Sequence, residues 1–89
     1  MKRRGGADRH RRPPGRVRKR LRVFVWCRDS RHGLILCRRC ELVMHFEDFE
    51  LDRIVPGCRG GEYVEDNVRA LCGPCNRELG NAARDGLVA

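Results

Sequence analysis

The fold is decided by residues 50–80, which read ELDRIVPGCRGGEYVEDNVRALCGPCNRELG. The segment from Phe49 to Val55 has the composition of a strand, and Pro56 stops it because proline cannot donate a hydrogen bond to a sheet. Residues 56–63 contain three glycines and a proline, which predicts a loop. NVRALC, residues 67–72, then returns as the second strand of a long hairpin.

Helix signals follow the hairpin. Pro74 is well placed at a first helical position, where its missing N–H costs no hydrogen bond. Leu79 and Ala83 follow Cys75 at steps of four residues, which is the spacing of one helical face, and Gly86 can end the helix. The stretch therefore predicts a hairpin and a helix in succession.

A further helix is predicted upstream. Val17, Leu21 and Phe24 recur with the period of a helix, although the alternation of apolar residues from Leu21 to Val25 would also suit a strand. The next segment, RDSRHG at residues 28–33, is a turn by its Asp, Ser and Gly content. We interpret this region as a helix that ends in a turn.

The cysteines indicate how a small domain is held together. LILCRRCELVMHF, residues 34–46, places one C-x-x-C pair between two short strands, and a second pair opens the predicted helix. Each pair can turn two thiolates towards one centre, and four thiolates complete a tetrahedral Zn²⁺ site. Such a closed site folds the protein and does no chemistry. The predicted zinc ligands are Cys37, Cys40, Cys72 and Cys75.

Other uses of paired cysteines fit this sequence less well than zinc. Redox and iron–sulfur proteins also contain C-x-x-C pairs, but a thioredoxin-like motif needs a βαβ context that this sequence lacks. Cys27 and Cys58 remain outside the pairs. They are interpreted as small buried apolar residues or incidental thiols and not as ligands.

Length and composition bound the class of protein. With 89 residues the chain has room for one domain. A domain of this size buries only about 60% of its unfolded surface, so it usually needs disulfides or a structural metal for stability. Nothing at the N-terminus resembles a signal peptide, and no apolar run approaches the ~20 residues of a membrane span. We therefore expect an intracellular, reducing location and no membrane partner, which favours a metal over disulfides.

The positive charge is concentrated at the N-terminus. Residues 1–22 hold eleven Lys or Arg and one acid, whereas residues 23–89 hold nine Arg and eleven acids. A self-repelling arm rich in Pro, Gly and Arg is expected to be disordered alone and to bind a polyanion, with nucleic acid as the expected partner. A solvated arm that only aids solubility is the plainer alternative. An anionic membrane fits less well because the arm has no apolar anchors.

From residue 50 onward the sequence resembles the HNH endonuclease family, whose ββα-metal core is a hairpin and a helix around one divalent ion. In that family the strand commonly reads Glu-x-Asp-His-Ile-x-Pro, a Gly-Gly loop follows, and Asn-Leu or Asn-Val with Cys-x-x-Cys-His or Cys-x-x-Cys-Asn closes the motif. The upstream VFVWCRDS…CRRC is similar to the segment before the first cysteine pair of these proteins, so the resemblance covers roughly residues 17–82. The positions in register are Asp52, Pro56, Gly60, Gly61, Asn67, Cys72, Cys75 and Asn76.

The resemblance implies a catalytic ion site beside the zinc. Asp52 would supply a carboxylate ligand from the hairpin, and Asn76 an amide oxygen from the first turn of the helix. Such an oxygen set suits Mg²⁺ or Mn²⁺ better than zinc. Asn67 is expected to fix the loop and orient the base. Taken singly, each has a plainer interpretation: a strand-end acid paired with a nearby arginine, a turn residue, and an ordinary residue at a helix start.

Arg53 departs from the family pattern. The family usually places its general base there as a His, whereas a guanidinium with a pKa above ~12 cannot accept a proton at neutral pH. In one interpretation Arg53 stabilises the phosphate while another group, Glu50 or His45, activates the water. In a second, the protein has lost cleavage and kept DNA binding. In a third, cleavage proceeds slowly without a base.

Together these features predict a small α+β domain of the zinc-stabilised ββα-metal (HNH) type at residues 16–89, preceded by a basic arm at residues 1–15. The predicted function is that of a metal-dependent endonuclease that hydrolyses phosphodiester bonds in DNA. The alternative is a catalytically decayed zinc module that binds DNA without cutting it. Because a chain this small would often dimerise to cut both strands, a homodimer is a further expectation.

Overall fold

The computed structural model describes residues 13–84, with side chains as far as Asn81. Two helices and two small antiparallel sheets make up the described fold, which confirms the predicted α+β class. Short 3₁₀ turns at Gly57–Arg59 and Glu65–Asn67 lie in the connection between the last two strands. The helices and strands, in chain order, are α1 (Gly15–Asp29), β1 (Ile35–Leu36), β2 (Val43–Met44), β3 (Glu50–Arg53), β4 (Val68–Leu71) and α2 (Gly73–Arg84).

Strands β3 and β4 form the predicted hairpin. Their register pairs Glu50 with Leu71 and Asp52 with Arg69. Because successive side chains of a strand point to opposite faces, all four of these residues lie on one face of the sheet. The hairpin thus gathers two carboxylates and an arginine on a single surface.

The first strand of the hairpin is shorter than predicted. It ends at Arg53 and not at Val55, because Asn67 supplies the next hydrogen-bond partners. The main-chain O of Asn67 accepts from Ile54 N at 2.9 Å, and its side-chain Oδ1 accepts from Val55 N at 2.9 Å. A side chain therefore replaces the opposing strand at this point.

The segment from Val17 to Val25, whose sequence suited either a helix or a strand, is part of helix α1. Leu21 and Val25, one helical turn apart, are fully buried, whereas Val23 between them is 52% exposed. A strand would have placed all three on the same face. The helix continues to Asp29, into residues that the sequence predicted as a turn.

The first cysteine pair lies between β1 and β2, as predicted. A reversal of the chain at His32 and Gly33, both with positive φ, precedes β1. The main-chain N–H of Arg38 donates to Ala70 O at 2.9 Å, which joins this segment to β4. That hydrogen bond brings the first cysteine pair next to the strand that leads into the second pair.

Helix α2 begins at Gly73, one residue before the predicted start at Pro74. Asn76 N donates to Cys72 O at 3.0 Å and closes the first turn, where the missing N–H of proline is tolerated. The predicted helix end at Gly86 lies outside the described residues. Residues 1–12 of the predicted arm also lie outside them.

The core lies between α1, the two sheets and the start of α2. Eleven buried residues form it: Leu21, Val25, Ile35, Cys37, Met44, Phe49, Val68, Ala70, Leu71, Cys72 and Cys75. Three of them belong to the cysteine pairs, so the predicted metal ligands and the core are continuous. Neither helix, over the residues described, is long and apolar enough to cross a membrane.

Candidate active site and metal centre

The four paired cysteines converge, as the sequence predicted. One sulfur from each of Cys37, Cys40, Cys72 and Cys75 lies within 4.8 Å of the others. The Cys40 and Cys72 sulfurs are 3.7 Å apart. A tetrahedral zinc with Zn–S bonds of about 2.3 Å separates its sulfurs by about 3.8 Å. The cluster therefore has the dimensions of a structural zinc site.

Hydrogen bonds to sulfur and burial change the pKa values of two cysteines in this cluster. Cys37 Sγ accepts from the main-chain N–H groups of Arg39 at 3.4 Å and Cys40 at 3.5 Å. Burial raises the pKa of Cys37, but main-chain hydrogen bonds from Cys40, Cys72 and Arg39 outweigh it and lower that pKa to about 6. Hydrogen bonding to Cys72, together with burial, raises the pKa of Cys75 to about 12. A cation bound at the centre would deprotonate a coordinating thiol such as Cys75 outright.

The other two cysteines lie outside the cluster. Cys27 and Cys58 are both exposed, so the suggestion that they are buried apolar residues is wrong. Cys27 is on the outer face of α1 because the buried face is set by Leu21 and Val25. Neither belongs to the group of four sulfurs.

Asp52 lies on β3 and forms an ion pair with its cross-strand neighbour. Arg69 Nε is 2.8 Å from Asp52 Oδ2, and the side chains of Arg69 and Asp52 are only 26% and 17% exposed, respectively. Burial raises the pKa of the Asp52 carboxyl, and Arg69 and Arg53 oppose that rise. Sequence reasoning did not identify Arg69. Its position opposite Asp52 depends on the strand register, which the sequence alone does not give.

Asn76 faces β3 from the first turn of α2. Its Nδ2 donates to Glu50 Oε1 at 2.7 Å. Glu50 is two residues from Asp52 on the same face of the strand. The amide that follows zinc-site residue Cys75 is thereby joined to the strand that carries Asp52.

Asn67 joins the two ends of the loop between β3 and β4. Its side-chain Oδ1 accepts from Val55 N, and its Nδ2 donates to Val55 O at 3.2 Å and to Glu62 O at 2.8 Å. Three hydrogen bonds from one side chain bring residues 55 and 62 together. This geometry supports the loop-fixing role that the family resemblance implies.

Arg53 is oriented by the same loop. Its guanidinium donates to Gly61 O at 3.4 Å and lies 4.4 Å from the centre of the Tyr63 ring. Asp52, its neighbour on β3, forms an ion pair with Arg69 on the opposite strand. His45, the other suggested base, is 70% exposed and lies in a turn beside Asp48.

A cleft of about 460 Å³ opens where α1, β3 and α2 meet. Two arginines of α1 line it, Arg18 and Arg22, one helical turn apart. Arg22 also fixes the segment before β3, because its guanidinium donates to the main-chain oxygens of Phe46 and Phe49. The remaining lining residues are Phe49, Glu50, Leu51, Tyr63 and Asn76.

The sequence did not identify the α1 arginines as part of the site. Their spacing of four residues on a predicted helix is a signal that they share a face, but it does not say what the face meets. Glu50 and Asn76, in contrast, were predicted from the motif, and the structure places both in the cleft. Asp52, Arg53 and Asn67 are not among the residues that line it.

The fold and the site define a class of protein: a small hairpin-and-helix domain with a four-cysteine centre and a surface that carries carboxylate and amide oxygens. Comparison with protein families gives this class its name. Residues 37–88 match the HNH endonuclease family, and the chain belongs to that family. The match begins at Cys37, so α1 lies outside the matched residues. No curated protein and no solved structure matches the chain.

Proposed function

We propose that the protein is a metal-dependent endonuclease that hydrolyses phosphodiester bonds in DNA. The observation that carries the proposal is the Asn76–Glu50 hydrogen bond, which brings α2 against the β3 face that also carries Asp52. The two residues that the family resemblance assigns to the ion are thus on adjoining elements. The four-cysteine centre joins the start of α2 to the segment between β1 and β2.

The donor set fits a hard divalent cation. Asp52 offers a carboxylate, whose Oδ2 binds Arg69, and Asn76 offers a neutral amide oxygen. Oxygen donors of this kind suit Mg²⁺ or Mn²⁺. Such an ion would neutralise charge that develops on the phosphate and on the leaving oxygen.

The arginines around the site supply charge that can bind phosphate. Arg53 is held over Tyr63 beside the loop, and Arg18 lines the cleft from α1. Guanidinium groups bind phosphate oxygens in a fixed planar geometry and cannot act as bases. In this proposal Arg53 stabilises the transition state and the basic N-terminal residues bind the DNA backbone.

One observation favours the alternative, a zinc module that binds DNA without cutting it. The ion pair of Asp52 with Arg69 competes with a divalent ion for the same carboxylate. In a decayed site this pair would be permanent. In a working site the ion would share the carboxylate with Arg69 or displace it.

A plasmid assay separates the two functions. Wild-type protein with Mg²⁺ or Mn²⁺ should nick supercoiled DNA, and Asp52→Asn should lower the rate by roughly 10²-fold or more because it removes the charged ligand. Asp48→Asn is the matched control, since Asp48 is 61% exposed and lies in the turn before β3, where its side chain contacts His45. Zinc content and circular dichroism establish that each variant is folded. Metal-independent DNA binding in a gel shift, with no nicking above Asp52→Asn, would support the non-catalytic module.

A further inference from the structure

We propose that Glu50 is a positioning residue whose carboxylate fixes the orientation of the Asn76 amide, so that the amide oxygen is presented to the divalent ion. This inference rests on the proposed function, because it takes Asn76 as a ligand. It differs from the role suggested by the motif alone, in which Glu50 was a candidate proton acceptor.

The hydrogen bond between the two side chains settles which way the amide is turned. An ionised carboxylate can only accept hydrogen bonds, so the Asn76 group that lies 2.7 Å from Glu50 Oε1 must be the NH₂. The amide oxygen is on the other branch and therefore faces away from Glu50. Without this partner, a rotation of the terminal torsion would exchange oxygen and NH₂, and the NH₂ would repel a cation.

Gly73 gives Glu50 room to hold this position. A Cβ at residue 73 would lie 3.1 Å from Glu50 Oε2, so the carboxylate rests directly against the start of α2. The same point is 3.4 Å from Arg77 Nη1. The N-terminal end of a helix and a nearby guanidinium both stabilise a negative charge. A carboxylate held in this setting is well placed to accept a fixed hydrogen bond from the Asn76 amide.

The proposal is tested by titrating the full, zinc-loaded chain with Mn²⁺. The electron paramagnetic resonance signal of the free ion measures how much Mn²⁺ is bound. Glu50→Leu removes the acceptor and should weaken Mn²⁺ binding by roughly 10–100-fold, the usual effect of losing a group that orients a ligand. Glu50→Gln keeps an acceptor oxygen and should recover most of that loss. Glu47→Leu is the matched control, because Glu47 is exposed and lies outside the cleft.

A spectroscopic measurement follows the hydrogen bond itself. In ¹⁵N-resolved spectra without Mn²⁺, the side-chain NH₂ signals of Asn76 should shift in Glu50→Leu and stay close to their wild-type positions in Glu50→Gln. A change confined to overall folding would move signals throughout the domain. This measurement does not depend on cleavage.

The outcomes distinguish the inference from the proposed function. Unchanged Mn²⁺ binding in Glu50→Leu overturns the positioning role. A Glu50→Gln variant that binds Mn²⁺ normally but loses cleavage as completely as Glu50→Leu also overturns it. That result would identify Glu50 as the proton acceptor. If wild-type protein binds Mn²⁺ no better than Asp52→Asn, both the ion site and the positioning role fail. In the first two cases the wild-type ion site remains intact.

Discussion

At the scale of single residues, Asp52 already has a partner for its charge in the folded protein. A partly buried carboxylate needs a compensating positive charge, and Arg69 supplies it at 2.8 Å. A divalent ion would provide a second and stronger one. Arg69 therefore stabilises the carboxylate of the folded protein in the absence of an ion. An ion would have to compete with Arg69 for this carboxylate, which weakens ion binding. The contact with Arg69 fits the ordinary interpretation of Asp52, a strand acid paired with an arginine, and the proposed ion would have to bind the same carboxylate.

Arg53 provides the sharpest test at the scale of single residues. If its charge stabilises the transition state, Arg53→Ala should lower kcat by roughly 10²-fold or more, which is the usual loss on removing a preorganised charge. Single-turnover cleavage of a DNA oligonucleotide in Mg²⁺ measures this directly. Zinc content checks that the variant is folded.

Arg53→His tests the opposite idea, that arginine merely blocks a decayed site. In that case the histidine would create or increase Mg²⁺-dependent cleavage, and Arg53→Ala would stay at the background of Asp52→Asn. We expect Arg53→His to be slower than wild type. A faster Arg53→His variant would contradict the proposed role of Arg53.

At the scale of elements, the loop between β3 and β4 sets the position of Arg53. Asn67 closes the loop with hydrogen bonds to Val55 and Glu62, and the loop in turn offers Gly61 O and Tyr63 to the guanidinium. The loop is therefore part of the site although it does not carry the carboxylates. Its shape depends on two adjacent glycines that are needed for different reasons.

Those glycines should respond differently to substitution by alanine. A Cβ at Gly61 would lie 1.7 Å from the main-chain oxygen of Val55, so Gly61→Ala must open the loop and is expected to cost about 3 kcal/mol or more. Gly60 has a φ of 87° with open space around it, so Gly60→Ala costs only the left-handed conformation, about 1–2 kcal/mol. Urea unfolding of the zinc-loaded variants measures both. Equal losses at the two positions would show that close contact with Val55 is not what requires glycine.

At the scale of the whole molecule, the four-cysteine centre leads to a prediction about stability. We expect one tightly bound Zn²⁺ per chain, and its removal should unfold the domain because metal binding of about 10–16 kcal/mol exceeds the stability that so small a core provides. Circular dichroism after strong chelation, with elemental analysis, measures this. Cys40→Ala should unfold likewise, whereas Cys58→Ala, at an exposed cysteine outside the cluster, should retain zinc and fold. An intact fold without zinc would contradict the prediction.

The charge distribution of the chain makes a separate prediction for DNA binding. If the N-terminal cations contact phosphates, the logarithm of affinity should fall with the logarithm of salt concentration by about 0.9 for each contact. Deletion of residues 1–15, which contain six Lys or Arg, should therefore flatten this dependence for any DNA sequence. Fluorescence anisotropy at several salt concentrations measures the slope. An unchanged slope would leave these residues without a role in phosphate binding.

The sequence by itself determined the features that depend on near neighbours along the chain. The C-x-x-C spacing predicts the zinc ligands, and the proline and glycines predict the hairpin loop, because bond geometry restricts the backbone within a few residues. The motif also selected Asp52, Asn67 and Asn76 as candidates. The tertiary structure decided which side chains meet: Arg69 with Asp52 across 17 residues, Glu50 with Asn76 across 26, and Arg22 with Phe49 across 27. Many arginines offer the same charge, and only strand register and helix packing select the one that reaches each partner.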